Sequence, residues 1–157
     1  MGRYSRKKMF EQDDERDLEI TEKALSMVGM QGTEERSFLS LSGGEKQRIY
    51  LAMAFAQESS LIILDEPTNH LDIGYQLYIM EIMRQFEDKT IFTSVHDMNL
   101  AARYCDRVIL LQKGKIIANG TPEEVLTVER IRSVFHVNTE IEKKNGVLNI
   151  TYLGWTK

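Results

Sequence analysis

Apolar residues change period several times along the chain, and each change marks an element. Between residues 13 and 28, Leu18, Thr21, Leu25 and Val28 recur at helical spacing, and Gly29 is placed to stop the run. Residues 31–37 are polar and read as a loop. A second helix is predicted after Ser42, with Ile49, Ala52, Met53 and Ala56 on one face. Residues 61–64 (LIIL) are apolar on consecutive positions, the pattern of a strand buried on both faces of a parallel sheet. Leu77, Met80 and Met83 then set the period of a crossover helix over 75–87. Residues 91–95 (IFTSV) read as a second buried strand and 98–104 as a short helix. Beyond these, strands are predicted at 107–112 and 115–118 about the turn Lys113-Gly114, and short helices at 122–126 and 129–135. A final hairpin pairs 139–142 with 147–152 about Asn145-Gly146. Strands alternating with helices in the middle of the chain argue for an α/β fold.

Composition narrows the class but not the function. The 157 residues fit one domain, and 42% hydrophobic with 28% charged residues is ordinary for a globular protein. No apolar run approaches the ~18 residues of a membrane span. The basic start, with Arg3, Arg6, Lys7 and Lys8, is followed by acids rather than an apolar core, so it is read as a solvated charged segment and not a secretory signal. The single cysteine, Cys105, cannot form an internal disulfide; it suits a reducing cytoplasm and is expected to be a small core residue rather than a nucleophile. A net charge of −4 gives no reason to expect nucleic acid as a partner. His70, His136 and the eight scattered methionines suggest no metal or haem site.

Two strands end in reactive residues. The first runs into Asp65-Glu66 and the second into His96-Asp97. In an open parallel sheet, ligands bind beyond the carboxyl ends of the strands, so neighbouring strands would bring two carboxylates and an imidazole to one edge. One acid can then hold a hydrated Mg²⁺ while the other orients or deprotonates an attacking water, and a histidine can donate to a phosphate oxygen. Taken alone, such acids are as well explained as ordinary polar residues at strand ends. Upstream, Ser42 followed by Glu45 forms a capping box, with Gly43 and Gly44 in the first helical turn. Glycine is a poor helix former, and bare backbone N–H groups at a helix N-terminus suit an anion such as phosphate. Alone, this too reads as an ordinary cap.

Three motifs in order remove the ambiguity. Residues 41–48 (LSGGEKQR) resemble the signature motif of ATP-binding-cassette (ABC) ATPases, residues 61–72 (LIILDEPTNHLD) their Walker B strand and D-loop, and 94–97 (SVHD) their switch-histidine segment. Residues 98–106, 113–118 and 120–125 resemble further family segments. The first of these, with Gly2-Arg3-Tyr4, is most similar to subunits that energise uptake of iron chelates and siderophores. The resemblance implies a P-loop NTPase-type α/β fold: helical subdomain and signature helix to about residue 58, catalytic core over about 59–112, and C-terminal hairpins and short helices over about 113–157. It implies ATP and Mg²⁺ as ligands. Asp65 would hold Mg²⁺ through water, Glu66 would polarise the attacking water, and His96 would contact the γ-phosphate. Ser42, Gly43, Gly44 and Glu45 form the signature surface for ATP held by an opposing subunit, and Asp72 would couple the two sites. Glu45 stands where many members have glutamine. The implied partners are a second ATPase subunit, head to tail, and a membrane permease docked on the helical subdomain from the cytoplasmic face.

One family part is not found in these residues. A phosphate loop reads G-x-x-x-x-G-K-[ST], and the one Gly-Lys pair, Gly114-Lys115, lies in a hairpin turn without the upstream glycine. The chain is therefore expected to start inside or just before the helical subdomain, to bind ATP weakly by itself and not to turn it over. Its strand over 91–95 would present a bare apolar edge, inviting self-association. Two other readings carry the same motifs: a fragment of a soluble translation-associated ABC protein, and a non-catalytic module that lends signature contacts to a complete ATPase.

Overall fold

The computed structural model describes residues 14–156, and they divide into two compact units, one running through Ser94 and one from Val95 onward. No helix among the described residues is long and apolar enough to cross a membrane.

The first unit opens with α1 (Glu15–Met27), started by a capping box in which Asp14 and Asp17 each bond the other's backbone. That box turns Asp17 inward, so the buried stripe is Asp17, Ala24, Leu25 and Val28. Leu18 and Thr21, expected on it, are exposed. Gly29 ends the helix at φ +64°, a conformation an L side chain enters only with strain. A short 3₁₀ turn (Phe38–Ser40) leads to α2 (Gly43–Phe55). Its inner face is Leu51, Ala52 and Phe55, followed by Ala56; Ile49 and Met53, expected there, are only half-buried. Helices α1 and α2 pack together.

The strands β1 (Leu61–Leu64) and β2 (Thr90–Thr93) pair in parallel, Leu61 opposite Thr90 and Leu64 opposite Thr93, joined through α3 (Ile73–Arg84). This is the α/β arrangement the consecutive apolar runs imply, but the burial differs from the expectation. Ile62 is buried, whereas its neighbours Leu61 and Ile63 and their cross-strand companion Phe92 are largely exposed. Side chains alternate across a strand, so one face of the pair is covered and the other is open.

The second unit contains α4 (Met98–Tyr104), β3 (Val108–Gln112) paired antiparallel with β4 (Lys115–Gly120), α5 (Pro122–Val125) and α6 (Val128–Phe135). A longer hairpin follows, β5 (Val137–Lys144) and β6 (Val147–Trp155). Both hairpins turn through two left-handed residues, Lys113-Gly114 and Asn145-Gly146, the backbone that matches strand twist. Leu110, Val125, Leu126, Ile131 and Ile150 form the core. Asn99 fastens α4 to β6: its side chain donates to the Ile150 carbonyl (3.1 Å) and accepts the Ile150 N–H (2.7 Å). Cys105 is half-buried, and burial pushes its thiol up, away from a reactive thiolate.

Candidate functional site

The N-terminus of α2 is built by Ser42. Its hydroxyl accepts the Glu45 N–H (3.3 Å), while the Glu45 carboxylate accepts the Ser42 N–H (2.8 Å) and the Arg36 guanidinium (2.7 Å). The Ser42 backbone bond first, then Arg36, hold the Glu45 carboxyl down at about 2, well below the usual carboxylate range. Glu45 is thus engaged on both oxygens within its own chain. The two glycines differ. A side chain at Gly44 would meet the His70 carbonyl at 3.2 Å, so the residue is small because another backbone crosses it. Around Gly43 there is open space, and no packing reason for glycine is visible.

The segment crossing Gly44 descends from β1. Glu66 and His70 both adopt left-handed backbone, φ +48° and +63°, and bracket the turn through the buried Pro67 and Thr68. Such a conformation costs a non-glycine residue about 1–3 kcal/mol and persists where surrounding bonds over-determine it. Glu66 has those bonds. Its N–H donates to Ser94 Oγ (2.8 Å), its carbonyl accepts from Asn69 N–H (3.1 Å) and from Gln47 Nε2 of α2 (3.3 Å), and its carboxylate accepts from the Asn69 amide. Ser94 Oγ in turn donates to Asp65 Oδ1 (2.6 Å). Asp72 caps α3, accepting the Tyr75 N–H at 3.0 Å.

Within the first unit, therefore, Gln47 ties α2 to the turn after the acids Asp65 and Glu66, and the His70 backbone passes close enough to the start of α2 to leave no room for a side chain at Gly44. Arg48 extends the framework: it lies over the Tyr75 ring at 4.3 Å and donates to the Gly29 carbonyl at 3.2 Å, joining the end of α1 to α3. His96 belongs to the second unit and is exposed. Beside it Asp97 caps α4, accepting from Asn99 and Leu100, and an open cleft of about 820 Å³ is lined by His96, Phe135, Tyr152 and Leu153. Burial, then the charge of Asp97, raises the Tyr152 hydroxyl pKa, keeping it protonated.

Sequence reasoning missed Ser94, Gln47 and Asn69 as residues acting on the acid pair. All three lie inside the quoted motifs, but their contacts span up to 29 positions and depend on the backbone turn at Glu66. No cluster of three or more metal-ligating side chains occurs among the described residues. Asp65 nevertheless suits Mg²⁺. It is an exposed carboxylate at a strand end, and Mg²⁺ commonly takes one or two carboxylates and keeps its waters.

The parallel strand pair ends in adjacent acids, with a capped, glycine-opened helix fastened beside them, and the known proteins it resembles give this arrangement its class. The family described as "ABC transporter" matches residues 3–69. A petrobactin import ATP-binding protein of Bacillus anthracis is 38% identical over 143 residues, 89% of this chain and 52% of its own. The iron(3+)-hydroxamate import ATP-binding protein of Bacillus subtilis is 38% identical, over 96% of this chain and 58% of its own. The ferric enterobactin transport ATP-binding protein of Escherichia coli is 36% identical, over 85% and 51%. Among solved structures, an ABC transporter described as of the metal-chelate type aligns with TM-score 0.84 and 26% identity, covering 98% of this chain and 64% of that one. A dimeric bacterial ABC transporter cassette aligns at 0.64 with 28% identity, covering 75% and 52%. The chain thus resembles ABC transporter ATP-binding proteins over nearly all of its length, and it spans about half the length of the curated relatives it matches.

Proposed function

We propose that this chain supplies the signature surface and the water-activating acids of an ATP-hydrolysing ABC subunit that drives uptake of an iron chelate or siderophore. The observation that carries the reading is the Gln47–Glu66 hydrogen bond that fastens α2 to the acid pair within one compact unit, with the His70 backbone passing beside Gly44. The import assignment is supported by the relatives, whose names specify petrobactin, iron-hydroxamate and enterobactin systems. As functional parts we assign about 1–58 to the helical subdomain and signature helix, about 59–112 to the catalytic core and about 113–157 to the C-terminal hairpins and short helices; residues 1–13, with the basic stretch at Arg3, Arg6, Lys7 and Lys8, lie outside the described residues.

The roles follow from the chemistry at each position. Ser42 and the open backbone at Gly43 and Gly44 present N–H groups and a hydroxyl to the γ-phosphate of ATP held by an opposing subunit. Glu45 serves this surface by holding the cap. Asp65 would hold Mg²⁺ through water; bound there, the ion offsets charge on the phosphate oxygens. Glu66 polarises the attacking water, His96 donates a hydrogen bond to the γ-phosphate, and Asp72 couples the two sites of a head-to-tail dimer. The permease docks on the helical subdomain at the cytoplasmic face of the membrane. Because these residues contain no phosphate loop, the chain by itself binds ATP weakly and does not turn it over. The edge of β2, unpaired among the described residues, favours self-association, with the apolar Leu61, Ile63 and Phe92 open on one face beside it; sedimentation of the isolated chain reads this directly, and a monodisperse monomer at high concentration would count against it.

The trans role is tested by mixing the chain with a full-length iron-chelate import ATPase locked in its ATP-bound state. Co-elution that requires ATP and disappears in Ser42→Arg is expected. Co-elution indifferent to nucleotide, or unchanged in Ser42→Arg, would overturn the assignment.

A further inference from the structure

We propose that Ser94 is a positioning residue for the acid pair, its hydroxyl setting where both Asp65 and Glu66 stand. The proposal rests on the roles given above for those two acids. Ser94 follows β2, and its own N–H donates to the Leu64 carbonyl at 3.1 Å, carrying the parallel ladder one step past the strand. The hydroxyl is thereby fixed to the sheet between the two strand ends. It has one proton to give and lone pairs to accept with, and the structure uses both capacities. The proton goes to Asp65 Oδ1 at 2.6 Å, and a lone pair receives the Glu66 N–H at 2.8 Å.

Each bond constrains something chemical. The first sets the rotation of the Asp65 carboxylate, and with it the direction in which a hydrated cation would be met. The second stabilises the left-handed backbone at Glu66, whose φ of +48° determines where its side chain leaves the chain. Gln47 and Asn69 also bond Glu66, but among these residues only Ser94 is bonded to both acids. Ser94 is exposed, so its hydroxyl is not explained by core packing.

Amide hydrogen exchange of the whole chain, followed by NMR, tests this. In Ser94→Ala the Glu66 amide should exchange roughly fivefold faster or more, the loss of one ordinary hydrogen bond, while β1 amides change less than about twofold. Ser94→Thr, which keeps the hydroxyl, restores protection, and Ser94→Cys, with only a weak donor, behaves like Ser94→Ala. A Glu66 amide unchanged in Ser94→Ala, or accelerated no more than the β1 amides, overturns the proposal. A second readout separates it from the reading on which it rests. Mg²⁺ titration should move the Asp65 carboxyl carbon resonance in the wild-type chain, with a midpoint at least about threefold higher in Ser94→Ala. No Mg²⁺ response at Asp65 in the wild type would sink the metal role of Asp65, with the exchange result still deciding what Ser94 does.

Discussion

Ile131 of helix α6 and Ile150 of strand β6, in the C-terminal unit, are 0% and 3% exposed, whereas Ile63 and Phe92 on the strand pair of the N-terminal unit are 69% and 55% exposed. The second unit closes its core with its own hairpins and short helices: Leu110, Val125 and Leu126 meet Ile131 and Ile150 from elements between Val108 and Trp155. The first unit covers one face of β1–β2 and leaves the other open, and it places the mutually bonded Asp65, Glu66 and Ser94 at the strand ends. Both units leave apolar strand residues open, Leu111 and Ile116 in the second as Ile63 and Phe92 in the first. The difference is that the second unit closes a core of five buried residues beneath its hairpins, whereas the strand pair of the first ends in the bonded acids.

The largest effect that sharpens this contrast is Ile131→Ala, expected to destabilise the second unit by about 2–5 kcal/mol through cavity formation. Ile63→Ala, the same chemistry on the open face, should stay within about 0.5 kcal/mol. Denaturant unfolding of the two variants checks the pair, and equal losses would break the comparison. The cap of α2 comes next: Ser42→Ala should cost about 1 kcal/mol, read by the same assay. Smaller still is the difference between the glycines. Gly43→Ala should stabilise α2 by up to about 1 kcal/mol, since nothing stands in its way. At Gly44 the His70 carbonyl 3.2 Å away should cancel that gain. A pH effect completes the series. The Glu45 carboxyl is depressed in the folded chain from the ordinary 4.5 to about 2. Its contribution is therefore complete above about 4.5 and lost as pH falls toward about 2. Glu45→Gln should flatten stability across that window, and an unchanged acid limb would remove Glu45 from the cap.

Much of the fold was legible from periodicity and turn chemistry. The α4 helix, the two-residue turns at Lys113-Gly114 and Asn145-Gly146, and the parallel pairing of two consecutive-apolar strands follow from local pattern alone. The faces of α1 and α2 were less so. Leu18 looks like a core residue until the Asp14–Asp17 box turns Asp17 inward, and the inner face of α2 at Leu51 and Phe55 is set by tertiary packing. Of the site, the acids and the capped glycine helix stand out by motif. The residues that aim them do not, because Ser94 and Gln47 act across 28 and 19 positions through a backbone turn that no local pattern encodes.

The roles proposed for Ser42, Asp65 and Glu66 are those of the signature and hydrolytic part of an ABC ATPase, in a stretch of sequence with no phosphate-loop motif. The first measurement is Mg-ATP hydrolysis by the purified chain, beside Glu66→Gln. No turnover is expected in either. Turnover by the wild-type chain that Glu66→Gln abolishes would contradict it, because a triphosphate would then be held by residues that the motif does not include.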